Sequence, residues 1–430
     1  MELVQQAFSQ AAVNLGTSLS QTLHVFSYAW YVALPAMLFP IFMIFWLYHI
    51  RVQYWLSLDW MLLEIIPPKD IEKSPKPMEA LFAGMAGVEK GFLPTEIYVQ
   101  GMFADSFSLE LVSDGGQVHF YIRTLRKYRH LVEAHLYAQY PDVEVREAED
   151  YVNDVPKVVP NKQWDLWGTD FELTKADAFP IRTYDRFEES VTGKMIDPLS
   201  GLVEAMGKLP PGQKIWLQYV ITPLSPAWAA KEGRKAADKL KGKVVEEESF
   251  LSKVWTDLKD VIFNAFSIGA LKGEVKLTEK SKKEDQPLEF RLSPVERDVL
   301  KAVEDSLGKI FYDVKMRMIL IGRKQGFDKT FVSSFIGGIK QFNDDNLNGF
   351  KPDNDSKTFA NFVFIKPRLR FRQRKILGRY RSRSDAGKTF ALNTEELATV
   401  FHLPDMQVVA PSVTRVEARR SGAPANLPIE

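Results

Sequence analysis

The sequence predicts an α+β protein hung from one N-terminal apolar helix. Three observations carry this. Residues 29–48 hold no charged side chain. Short runs of alternating apolar and polar residues recur after them, separated by stretches of helical spacing. The order strand, helix, strand, strand, helix, strand is completed once and then begins again.

The apolar run from Ala29 to Tyr48 is as long as the roughly 20 residues a membrane-crossing helix needs. Trp30, Tyr31, Trp46, Tyr48, Tyr54 and Trp55 mark its ends, and such rings prefer the headgroup level. No Lys or Arg precedes Arg51, whereas Lys69, Lys73 and Lys76 follow it. Positive charge stays on the cytoplasmic side. The sequence therefore predicts a single-pass protein of the inner (cytoplasmic) membrane, N-terminus outside and C-terminal domain in the cytoplasm. A cleaved signal peptide fits less well, because a charged n-region and a small-residue cleavage site are missing.

Met61 to Ile66 reads as a strand stopped by Pro67 and Pro68. Met78, Leu81, Phe82, Met85 and Val88 fall at helical spacing. Phe107, Leu109 and Leu111 alternate with polar residues, as do Val118, Phe120 and Ile122, and Asp114-Gly115-Gly116 can make the tight turn between them. Tyr128 to Tyr140 is helical until Pro141, and Val143 and Val145 begin a fourth strand. This is the split βαβ, ferredoxin-like order, with both helices on one face of the sheet.

A second pass takes Phe171 to Thr183 as a strand, Leu199, Val203 and Met206 as a helix, and Ile215 to Ile221 as a strand. It resumes with a strand at Val314 to Leu320 and a helix at Phe331 to Ile339. The charged stretch between is a helical insertion, in which Ser293-Pro294-Val295-Glu296 has the form of a capping box. The expected fold is thus one transmembrane helix and two ferredoxin-like (βαββαβ) units, the second interrupted. The boundaries are an extracytoplasmic N-terminus over 1–27, the span over 28–50, a first unit over 51–155 and a second over 156–390 with its insertion at about 226–310. A C-terminal helix and tail occupy 391–430.

Composition excludes some chemistry. There is no cysteine, hence no disulfide, thiolate nucleophile or Cys-ligated zinc. A net charge of +1 gives no global field toward nucleic acid or an anionic surface. Gly387-Lys388-Thr389 lacks the P-loop's earlier glycine, since Ser382 stands there, and no apolar strand precedes it. His130, Glu133 and His135 miss the zincin spacing. Neither a catalytic set nor a cofactor site stands out.

Two stretches rise above this background. Nine basic residues and no acid lie between Lys366 and Arg383. Arg368, Arg370, Arg372 and Arg374 alternate with Leu369 and Phe371, so an extended strand would line them along one face, followed by Lys375, Arg379, Arg381 and Arg383. Three readings compete: a solvated face with acidic partners, a contact with anionic lipid, and a contact with DNA or other nucleic acid. The second stretch is Phe250 to Phe266, where Phe250, Val254, Trp255, Leu258, Val261 and Ile262 make an apolar helical stripe. It packs on its own domain, lies in the membrane interface, or binds a partner.

Several segments together resemble a known family. They are Trp60 to Ile65 with Pro67-Pro68-Lys69, Pro77 to Ala83, Phe107 to Glu110 with Val118 to Arg123, Tyr137 to Pro141, and Leu392 to Pro404. They are similar to the membrane-anchored N-terminal region of bacterial conjugation-type ATPases, the coupling-protein-like members of the type IV secretion family. In those proteins the phrase like Leu392 to Pro404 leads into the motor domain. The motor's Walker motifs are absent here, so ATP hydrolysis does not carry over. The resemblance implies a non-catalytic, membrane-anchored scaffold or adaptor beside a separately encoded motor ATPase. The alternatives are a membrane-tethered nucleic-acid binder using residues 366–383 and a membrane-bound enzyme with an unrecognised site. Homo-oligomerisation is left open.

Overall fold

The computed structural model describes residues 2–68, 74–187, 196–228, 293–361 and 364–405, with Gly233 and Lys235. The chain divides into two compact units, one of Met1–Asp59 with Lys90–Ala104, the other of Trp60–Glu89 with everything from Asp105 on.

The first unit is built on helix α1 (Glu2–Ser57), which runs through Pro35 and Pro40 without a break. Within it Leu34–Ser57 is long and apolar enough to cross a membrane, and side chains such as Met37, Ile44 and Phe45 are exposed. Residues 2–27, expected outside the membrane, continue the same helix. The Trp46 indole N–H donates to the carbonyl of Tyr98 at 2.8 Å, and the rings of Tyr54 and Phe103 meet edge to face at 5.3 Å.

The second unit is α+β. Its first half runs β1 (Trp60–Ile66), α2 (Lys76–Met85), β2 (Phe107–Asp114), β3 (Gln117–Leu125), α3 (Arg129–Gln139) and β4 (Glu144–Ala148). Its second half runs β5 (Trp164–Leu173), α4 (Ser200–Gly207), β6 (Gln213–Pro223), α5 (Pro294–Leu307), β7 (Phe311–Arg323), α6 (Thr330–Lys340) and β8 (Phe350–Pro352). Then come α7 (Ile365–Arg381), β9 (Phe390–Asn393) and α8 (Thr394–Val400). Among the described residues the strands lie in the order β4-β1-β3-β2-β6-β7-β5-β8, with β9 on β7, and every pair is antiparallel. The halves share one sheet, joined where β2 meets β6 from Phe107↔Ile221 to Asp114↔Lys214.

Local chemistry explains the elements. Gly115 and Gly116 take φ of 56° and 94°, which lets the β2–β3 hairpin close in two residues. Ser293 and Asn393 cap α5 and α8, each with a glutamate three residues on returning the bond. Alternation sends Leu109, Leu111, Phe120, Ile122, Leu217 and Met318 to one face, where α2, α3, α4, α6 and α8 bury them. The opposite face is covered too. Tyr121, Trp216, Ile319 and Ile321 pack there against Tyr151, Ile376, Leu377 and Tyr380.

Two strand expectations need correction. Residues 174–183 are bends, one turn and irregular chain, and β5 lies earlier, at Trp164–Leu173. Gly168 and Asp170 look like turn residues, but Gly168 is where helix α7 presses on the strand: an added Cβ would lie 3.1 Å from Ile376 Cδ1. The basic stretch is no strand either. Gln373, Ile376, Leu377 and Tyr380 are buried at the spacing i, i+3, i+4, i+7, and this stripe makes residues 365–381 a helix.

Candidate anion-binding site on the basic helix

The site starts from a gap in the sheet. On one edge of β7, β9 pairs with Phe311 to Val314 and β5 with Arg317 to Arg323, so Lys315 and Met316 lie between the two ladders. The loop between α7 and β9 fills this gap. Lys315 Nζ donates to the carbonyl of Lys388 at 2.7 Å, and Arg317 Nη2 to that of Ser384 at 3.2 Å. Gly387, at φ 116°, passes so close that a Cβ would sit 3.0 Å from Lys315 Nζ.

Both cations are buried and share one carboxylate. Asp170 Oδ1 accepts from Arg317 Nε at 2.7 Å, and its Oδ2 lies 2.7 Å from Lys315 Nζ. Burial holds both Lys315 and Arg317 below their ordinary pKa ranges, with Asp170 opposing. Asp170 ends a polar row that crosses seven strands in register: Arg146, Glu64, Tyr121, Glu110, Gln218, Arg317, Asp170. Gln218 Nε2 donates to Glu110 Oε1 at 3.0 Å and its Oε1 accepts from Arg317 Nη1 at 3.3 Å. Glu110 further accepts from Ser108, Tyr151 and Arg383 at 2.6, 2.7 and 2.9 Å. Burial alone would raise the Glu110 carboxyl; the Arg383 charge and these hydrogen bonds prevail and hold it below the usual range.

Above this floor lies a cavity of about 660 Å³, within the usual range for a small-molecule site. One wall is α7, which presents Arg368, Arg372, Lys375 and Arg379 along a single stripe. The facing wall is the turn carrying Asp353 and Asp355, and Lys388 stands at the rim. The predicted basic residues thus part company. Arg370 and Arg374 are exposed and do not line the cavity. Arg381 turns inward to the carbonyls of Val152 and Val155. Arg383 is buried between Glu110 and Asp150, with Nη2 2.7 Å from Asp150 Oδ1, so it holds the fold together rather than facing outward. The strand had put Arg368, Arg370, Arg372 and Arg374 on one face; the helix divides them by its 3.6-residue period. The apolar helix expected around Phe250, Val254, Trp255, Leu258, Val261 and Ile262 lies outside the described residues.

Within the cavity the cations are unequally committed. Arg372 Nη1 donates to the carbonyls of Lys357 and Phe359, both at 2.9 Å, and so fastens the opposite wall. Lys388 Nζ lies 3.0 Å from Glu172, 3.4 Å from Asp353 and 3.5 Å from Asp355. Arg379 approaches Asp170 only to 4.0 Å. Lys375 has no carboxylate within ion-pair range among the described residues and rests 5.9 Å from the Phe371 ring. Gly387-Lys388-Thr389 itself connects a helix to a strand, the reverse of a P-loop's order.

The family described as domain of unknown function (DUF8128) matches residues 54–416, from the end of α1 to beyond α8. The chain belongs to this family. No curated protein matches it. The DUF8128 region thus takes in the whole sheet and the basic cavity, and leaves most of α1 outside.

Proposed function

We propose that the chain is a non-catalytic scaffold or adaptor, anchored by α1 with its N-terminus outside and its DUF8128 region in the cytoplasm, for a motor ATPase of the conjugation or type IV secretion kind. The observation that carries this reading is how firmly the Leu392–Pro404 segment, motor-proximal in the resembled proteins, is built into the sheet domain. β9 extends the sheet along β7. Glu396 is buried and accepts from the backbone N–H of Ile181 and Asn393 at 2.8 and 2.9 Å. His402 contacts Asp197 at 3.0 Å, and the Asp405 N–H donates to the same carboxylate at 2.8 Å. A partner gripping this segment would pull on the whole sheet. We also infer that each half is a ferredoxin-like unit, since β4-β1-β3-β2 and, in mirror order, β6-β7-β5-β8 both follow that fold's strand order.

Affinity purification of the intact chain from its native membranes, with chemical cross-linking, should recover a motor ATPase, and the purified chain should not turn over ATP. Recovery of no secretion component, or ATP turnover by the chain itself, would sink the adaptor reading. An export-dependent reporter that is active at the C-terminus would reverse the orientation.

A further inference from the structure

The cavity beneath α7 has two chemically distinct walls, and they narrow what fits. The α7 wall carries cationic charge that the protein does not use up. Lys375 meets no carboxylate among the described residues, and Arg379, one-quarter exposed, stands 4.0 Å from an Asp170 already shared by two nearer cations. A guanidinium fork beside an ammonium suits a phosphate, whose oxygens accept several charge-assisted bonds at once. The facing wall is acidic. Asp355 is 83 % exposed at its side chain and touches Lys388 only at 3.5 Å, which leaves acceptor positions open. Such a wall accepts hydrogen bonds from hydroxyls and repels further negative charge. A nucleic-acid strand, with a phosphate at every nucleotide, would bring charge against Asp353 and Asp355. A ligand with one phosphate and a hydroxylated body meets both walls favourably, and about 660 Å³ accommodates it.

We propose that this cavity binds a hydroxylated phosphate ester, its phosphate held by Lys375 and Arg379 and its hydroxyls by Asp355. The chemistry is shared by soluble esters and by the headgroup of a glycerol phospholipid. This proposal does not rest on the adaptor reading.

The test is calorimetric titration of the full-length chain in neutral detergent micelles. The probes are glycerol 3-phosphate, inorganic phosphate, glycerol, and mixed micelles of short-chain phosphatidylglycerol against phosphatidylcholine. Glycerol 3-phosphate should bind and glycerol should not. Binding of the free ester points to a soluble ligand; binding of phosphatidylglycerol alone points to a lipid headgroup; either supports the site. Lys375→Met and Arg379→Gln should each weaken binding about tenfold or more, the effect of losing one charge-assisted bond. Asp355→Asn should weaken the ester more than inorganic phosphate. Lys375 is exposed, so its variant folds normally and serves as the reference if Arg379→Gln lowers stability. Absence of binding by every phosphate probe overturns the proposal. So does unchanged affinity in Lys375→Met. A single-stranded oligonucleotide that binds more tightly than the ester through the same two residues would replace it with nucleic-acid recognition.

Discussion

Replacing Asp170 by alanine removes the carboxylate that Lys315 and Arg317 share. Both cations have side chains at most 1 % exposed, and each lies 2.7 Å from it. Losing one partner of a buried pair costs about 3–5 kcal/mol, because the other charge stays out of water without compensation. Two stranded charges would exceed that range if both kept their protons. Lys315 can lose its proton, since burial already lowers its pKa, so we expect about 4 kcal/mol. In urea, with m of about 1–3 kcal/mol/M, the midpoint of the intact chain in detergent should fall by about 1 M or more. The deficit should shrink with rising pH: in the variant the unfolded Lys315 binds a proton that the folded one has shed, and stability rises with pH over that interval. Adding Lys315→Met should restore part of the loss. A loss under about 1 kcal/mol, or a double variant no more stable than the single, would refute the assignment of Asp170 as the counter-charge of both cations.

Burial pushes the Glu396 carboxyl up to about 8 from an ordinary 4.5, against two backbone hydrogen bonds. Between those values the folded chain holds a proton that the unfolded chain has lost, so stability should fall as pH rises through that window, and Glu396→Gln should flatten the profile in urea titrations at stepped pH. Asn393→Ala should cost about 1 kcal/mol for the lost cap, and more because Asn393 Nδ2 also donates to the buried Ser306 hydroxyl at 3.0 Å; the same titration reads it. Leu109→Asp or Phe120→Asp, each placing a charge at a fully buried position, should cost several kcal/mol and abolish expression of folded protein.

The strands of the first half and the β2–β3 turn were legible because period-two alternation and a Gly-Gly pair are local signals. What alternation does not report is what covers the polar face. Glu64, Glu110, Gln218, Arg317 and Asp170 are polar residues set among apolar ones in their strands, as residues facing water would be. Four of them, Glu110, Gln218, Arg317 and Asp170, are fully buried or nearly so, because α7 covers that face, and α7 had been read as a strand. The two errors are one. Four arginines at alternate positions matched a strand, while Gln373, Ile376, Leu377 and Tyr380, a series that begins inside the same run, had helical spacing. The helical stripe prevails because it buries side chains and the arginine alternation buries none. The candidate cavity was half legible: its basic wall was visible as composition, whereas Asp170, Asp353 and Asp355 come from distant segments that only the fold brings together.

The antiparallel neighbours β6 and β7 pair from Gln213↔Gly322 to Pro223↔Tyr312, yet the chain leaves this ladder at Pro223 and returns at Tyr312. To the sheet, everything between is a single closing loop. The entropy of closing a loop grows only with the logarithm of its length, about 0.6 kcal/mol per doubling. Lengthening this connection with a flexible insert should therefore raise the closure cost by only about 0.6 kcal/mol for each doubling of its length. Added length at this point is thus cheap to the sheet in entropy, whatever the inserted residues do.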